Sequence, residues 1–327
     1  MTGPRIDVHH HILPAHYVET VGPGPIGSQG SSGRVPAWSL EGAIGLMDEA
    51  GISTAITSVT APGVATLEAG AAAGLARWCN DYAARMVSDR PSRFGMFTCL
   101  PMQGMDTAIA EAVRSFDELG ADGVCLLSNY EGRYLGEEAF RPLYEELDRR
   151  AAVVFVHPTS PAQLVSAGGL SASTLEFPFD TTRAIASLIF SGVTRDYPSI
   201  RWILSHAGGA MPYLAGRVEW LTRNNPSLRE RIPEGFARAM EPLFFDCALS
   251  ADAVHFAALR ALVPDSQILF GTDYPFGPAG QMAGTVDALA ELGLSAETLG
   301  AIDAGNALRL FPRLAALLAP ITEAHHG

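Results

Sequence analysis

Ile6-Asp7-Val8-His9-His10-His11 reads as a short buried strand, Ile6–His9, with a His-x-His pair at its end. Side chains alternate with period 2 along a strand, so His9 and His11 share one face and His10 takes the other. Working outward, the same pattern recurs. Short β-branched runs are expected as strands at Thr54–Val59, Phe94–Cys99, Gly123–Leu127, Val153–His157, Trp202–His206, Leu243–Asp246 and Ile268–Gly271. Stretches with helical periodicity lie between them, including Leu40–Glu49, Ala65–Ser88, Thr107–Leu119, Glu137–Arg149 and Thr181–Ser191. Near-continuous apolar strands alternating with helices indicate a parallel sheet covered by helices. Eight such strands predict an α/β fold, a (β/α)8 TIM barrel of one domain over residues 1–327, with loop insertions and a closing helix at Leu308–Pro320.

Composition removes several functions. The 327 residues carry a formal charge of −13, with no cluster of basic residues, which speaks against nucleic acid or an anionic membrane as partner. All 22 basic residues are arginine. Without lysine there is no Schiff base, no phosphate-loop lysine and no carboxylated lysine to bridge two metals. Gly22, Gly24 and Gly27 spell G-x-G-x-x-G, but this stretch follows no strand and carries prolines, so Gly22–Gly33 is read as a mobile loop rather than a dinucleotide site. Cys79, Cys99, Cys125 and Cys247 are scattered without a C-x-x-C pair. With no signal-like start and no long apolar run, a cytoplasmic protein is expected.

The chemistry-bearing residues gather at strand ends. Val153-Val154-Phe155-Val156-His157 and Trp202-Ile203-Leu204-Ser205-His206 end on histidines, and Ile268-Leu269-Phe270-Gly271-Thr272-Asp273 ends on an aspartate. Together with His9 and His11 they populate the barrel face where catalytic residues of such folds sit. Imidazole donors converging there suit zinc, iron or manganese.

The set DVHHHILP, VFVHPT, LSHAGG and FGTDYPF resembles the amidohydrolase superfamily, and within it the branch of aminocarboxymuconate-semialdehyde and hydroxybenzoate decarboxylases. LLSNYEGRYLG and EFPFDTTRAIASL are similar to the 6-methylsalicylate decarboxylases. The resemblance implies that His9, His11, His157 and Asp273 hold one divalent metal ion, with His206 beside it as acid/base. Zn2+ suits three imidazoles and one carboxylate first, and Mn2+ second. Some members have Glu-x-His in strand 1, where this chain has His9-x-His11. Glu131, four positions past a strand, is read as a loop charge, His10 as packed behind its strand, and His255 as a structural residue of a helix at Ala251–Leu262.

The implied reaction is non-oxidative decarboxylation of a small aromatic ortho-hydroxy carboxylic acid, with Asp273 protonating the carboxylate-bearing carbon and His206 orienting and recycling the proton. The alternative is a hydrolase in which metal-activated water attacks a lactone or amide with His206 as base. Phe177, Phe179, Tyr274, Phe276, Trp38 and Tyr130 are candidates for a slot around a flat ring. Arg183, two residues beyond Asp180 as a helix cap, is a candidate carboxylate clamp or a subunit contact. The resemblance further implies a homodimer.

Overall fold

The runs rich in Val, Ile and Phe pair as expected. The computed structural model describes residues 3–164, 168–277 and 281–323. The strands are β1 (Ile6–Ile12), β2 (Thr54–Val59), β3 (Phe94–Cys99), β4 (Gly123–Leu127), β5 (Val153–His157), β6 (Arg201–Leu204), β7 (Phe244–Asp246) and β8 (Ile268–Leu269). They form one eight-stranded sheet in sequence order, and every pairing within it is parallel. Val8 N donates to Phe270 O at 3.0 Å and Asp273 N to His9 O at 2.8 Å, which ties the last strand back to the first. The fold is a (β/α)8 barrel with helices between the strands.

Two apolar layers result. Inside the barrel, Ile6, Val8, Phe97, Phe155, Ile203 and Leu269 pack with Phe311 and Leu314 from the C-terminal helices. Outside it, strand faces pack against the helices, with Trp202 and Tyr144 fully buried between them. A column of rings rises through the interior. Phe311 lies 6.0 Å from Phe97, Phe97 5.3 Å from Phe155, and Phe155 4.9 Å from the His9 imidazole. The closing helix spans Pro312–Glu323, and His325–His326 lie outside the described residues.

Four departures from the sequence reading matter. β1 continues to Ile12 and contains a bulge, because Asp7 pairs with Ala55 while His10 pairs with Thr57. That extra residue shifts the alternation, so Ile6 and Val8 face the interior and His9 and His11 still join them. β6 stops at Leu204, since His206 and Ala207 both take φ of +54° and Gly208 and Gly209 follow at +75° and +64°. A helix spans Ala172–Phe190 with Pro178 inside it, so Asp180 is an interior residue and not its cap. Gly22–Gly33 holds a short helix at Pro23–Gly27 rather than a featureless loop. Among the described residues, no helix is long and apolar enough to cross a membrane.

Candidate metal centre and substrate cleft

At the C-terminal mouth of the barrel, His9 and His11 from β1, His157 from β5 and Asp273 after β8 converge. Nε2 of His11 lies 3.2 Å from Nε2 of His9 and 3.1 Å from Nε2 of His157. Asp273 Oδ1 is 3.2, 3.1 and 4.0 Å from the same three nitrogens of His9, His11 and His157. All four side chains are buried.

The opposite ring nitrogens explain why these atoms are donors to a cation. His9 Nδ1 bonds Asp246 Oδ2 at 3.0 Å, His157 Nδ1 donates to the Pro158 carbonyl at 2.7 Å, and His11 Nδ1 meets Ser58 Oγ at 2.9 Å. A proton held on Nδ1 leaves each Nε2 with a lone pair, and the lone pairs face one another and a carboxylate oxygen. Asp273 Oδ1 is buried without a hydrogen-bond partner. A divalent ion fits this set: three imidazoles and one carboxylate, each oriented from behind.

The electrostatics agree. Burial presses His11 and His157 down to about 4. It pulls the same way on His9, where the carboxylates of Asp246 and Asp273 outweigh it and raise the imidazole to about 10. Burial opposes ionisation of Asp273, but His9, His11 and His157 hold its carboxyl well below the usual range. A cation binding here competes with the proton on His9.

His206 sits beside the quartet, its ring 4.8 Å from His9. Its backbone N–H donates to Asp246 Oδ1 at 3.1 Å and its Nδ1 to the Ala248 carbonyl at 3.0 Å, so Nε2 is the nitrogen free of a proton. Burial lowers the proton affinity of this imidazole. The left-handed backbone that aims it is sparsely populated for residues with a Cβ, and such strain gathers at functional sites. Gly209 is required there, because a Cβ would stand 2.1 Å from the Pro178 carbonyl oxygen.

Asp246 is the residue that sequence reasoning missed. It binds both His9 and the His206 backbone, and its signal was present in Phe244-Phe245-Asp246, a further strand ending on an acid. Asp7 was missed as well. Its carboxylate accepts from His9 N, Thr272 N, Thr272 Oγ1 and His10 Nδ1, which knots β1 to the segment carrying Asp273. His10 lies on that far side, its ring 4.8 Å from Tyr274.

The quartet opens into a cleft of about 300 Å3. Phe177 and Phe276 line it, beside His157, His206 and Asp273. Two expected lining residues stand elsewhere. Tyr130 accepts from Leu127 N at 3.0 Å and packs against Phe140, beside a separate small cavity with Val59 and Cys125. Arg183 is half-exposed, with its guanidinium 3.9 Å from Glu176 and 3.8 Å from Asp180, because the helix begins well before the expected cap. Trp38 packs on Tyr82, and Glu131 sits exposed at a hairpin turn. His255, expected to be structural, lines the cleft from the helix Ala253–Arg260.

The amidohydrolase family model matches residues 6–313. The chain belongs to the amidohydrolase family. This amidohydrolase is 36% identical to a 6-methylsalicylic acid decarboxylase of Penicillium expansum, covering 96% of this chain and 98% of that one. It is 38% identical to a 6-methylsalicylic acid decarboxylase of Aspergillus aculeatus, covering 95% and 96%. Its fold matches a 5-carboxyvanillate decarboxylase of Novosphingobium aromaticivorans, solved with manganese and a nitrobenzoic acid, with a TM-score of 0.84 at 23% identity over 95% and 96% of the two chains.

Proposed function

We propose that this amidohydrolase is a metal-dependent, non-oxidative decarboxylase, a carboxy-lyase acting on a 6-methylsalicylate-like ortho-hydroxybenzoate. What carries the reading is end-to-end similarity to 6-methylsalicylic acid decarboxylases combined with the convergent quartet under an aromatic-walled cleft. The relatives described above lend nothing to the lactone or amide hydrolase.

His9, His11, His157 and Asp273 are the proposed metal ligands, with Zn2+ suited first and Mn2+ second. Bound there, a divalent ion supplies Lewis-acid charge to the carboxylate and ortho oxygen of the substrate. The protein's residues do the rest. Phe177 and Phe276 hold the ring flat over the floor of the cleft and shed water from it. An anionic substrate arriving beside Asp273 raises that carboxyl group's proton affinity, since like charges disfavour each other's ionised forms. Asp273 then delivers its proton to the carboxylate-bearing carbon. The C–C bond breaks, its electron pair restores the aromatic ring, and carbon dioxide leaves. His206, with Nδ1 fixed on Ala248 O, passes a replacement proton from Nε2.

The working form is proposed to be a homodimer in the cytoplasm. Tyr213 is 86% and Trp220 64% exposed on the helix Met211–Asn224, an apolar face suited to a second copy. Four buried free thiols suit a reducing compartment. The test of the reaction is incubation of metal-loaded protein with 6-methylsalicylate in heavy water. Carbon dioxide and one deuterium at the former carboxyl position are expected. No carbon dioxide from protein shown to hold its metal overturns the reading.

A further inference from the structure

The rim of the cleft holds a side chain that the proposed chemistry does not use. His255 lines the cleft together with Leu249 and Ser250, opposite the segment bearing Gln29 and Gly30. Although its imidazole is about half exposed, it is anchored. Its Nδ1 is bonded to the Asp252 carboxylate, and Asp252 is itself fixed by accepting Val254 N at 2.9 Å and His255 N at 3.2 Å. With Nδ1 occupied, Nε2 is the nitrogen left for a ligand. An imidazole backed by a carboxylate is a stronger hydrogen-bonding partner than a free one, and its orientation is already set.

The surroundings make that nitrogen conspicuous. No arginine lines the cleft and the chain has no lysine, so away from the floor the wall is built from aromatic, aliphatic and hydroxyl groups. Next to His255, Leu249 holds a φ of +53° and is 46% exposed, presenting an apolar side chain into the same space. The loop after β7 thus does two jobs: Asp246 and Ala248 fix His206, and Leu249 and His255 meet whatever lies over it.

We propose that His255 is a specificity-determining residue that hydrogen-bonds a second polar substituent on the substrate ring, remote from the chelated carboxylate and ortho hydroxyl. The preferred substrates are then ortho-hydroxybenzoates bearing a further ring hydroxyl, and Leu249 covers the apolar edge beside it. This rests on the decarboxylase reading for the orientation of the ring.

The experiment compares salicylate with its monohydroxylated isomers on metal-loaded wild type, His255→Ala and His255→Gln. Binding is read by calorimetry, and carbon dioxide release is read separately. Wild type is expected to bind at least one hydroxylated isomer about tenfold more tightly than salicylate, the scale of one good hydrogen bond. His255→Ala should erase that gap, with salicylate binding and metal content within about twofold of wild type. His255→Gln should keep part of it. In turnover the loss should fall on KM and spare kcat. A gap that survives in His255→Ala, a wild type without a gap, or equal weakening of all ligands overturns the inference. Substituent-dependent binding without carbon dioxide release supports His255 as the reader of the ring and sinks the decarboxylase alone.

Discussion

Asp180 takes a hydrogen bond from Ser128 Oγ, and Ser128 in turn grips both sides of the strand end that carries His157. Ser128 N donates to the His157 carbonyl at 2.8 Å, and Ser128 Oγ accepts from Thr159 N at 3.1 Å. Asn129 Nδ2 and Tyr134 OH also donate to the Asp180 carboxylate, at 2.8 and 2.6 Å. Asp180 lies on the helix that brings Phe177 to the cleft, so one buried carboxylate registers the aromatic wall against a proposed metal ligand.

Replacing that acid should therefore reach the site from outside it. Asp180→Asn leaves donors facing donors, and a loss of about 2–4 kcal/mol of stability is expected. Thermal unfolding checks the stability, and a weaker hold on the metal should accompany it. A variant with unchanged midpoint and metal content would detach this network from the site.

His157→Ala removes one of four converging donor atoms. Metal should be lost from the purified protein, as measured by elemental analysis, while the strand-rich circular dichroism signal is retained. Full retention of metal would remove His157 from the ligand set.

Asp246→Asn tests support from behind a ligand. The His9 Nδ1 proton would lose its carboxylate partner, and metal affinity is expected to fall about 10–100-fold. A competition titration with a chelator reads that change directly. An unaltered affinity would mean that His9 needs no carboxylate behind it.

His206→Asn should keep the metal and lose turnover by about 10²–10⁴, the range for a positioned proton-transfer group. The measurement is kcat at matched metal loading. Unchanged kinetics would take His206 out of the reaction.

Much of this molecule was legible in its residues, and the gaps have physical reasons. Gly123–Leu127 and Val153–His157 were bounded correctly because both are continuous apolar runs cut off by polar or proline punctuation. The β1 bulge was not legible, since an extra residue leaves no trace in a run where every side chain is buried. Pro178 concealed the first turns of its helix because proline is a breaker by default. Tyr130 and Arg183 were offered to the cleft for their chemistry, and tertiary packing sent both elsewhere. Asp246 and Ser58 act through histidines distant in sequence, so no local pattern could have paired them.

The ring column from Phe311 through Phe97 and Phe155 to His9 has a consequence for how such a protein changes over generations. The ligand nearest the barrel axis rests on a stack whose base is in the C-terminal segment, far from any substrate. Selection for a different metal preference should therefore recover substitutions at Phe97 and Phe311 as readily as at the mouth. A lineage that trims or exchanges its C-terminal segment inherits a retuned centre without having altered a single ligand.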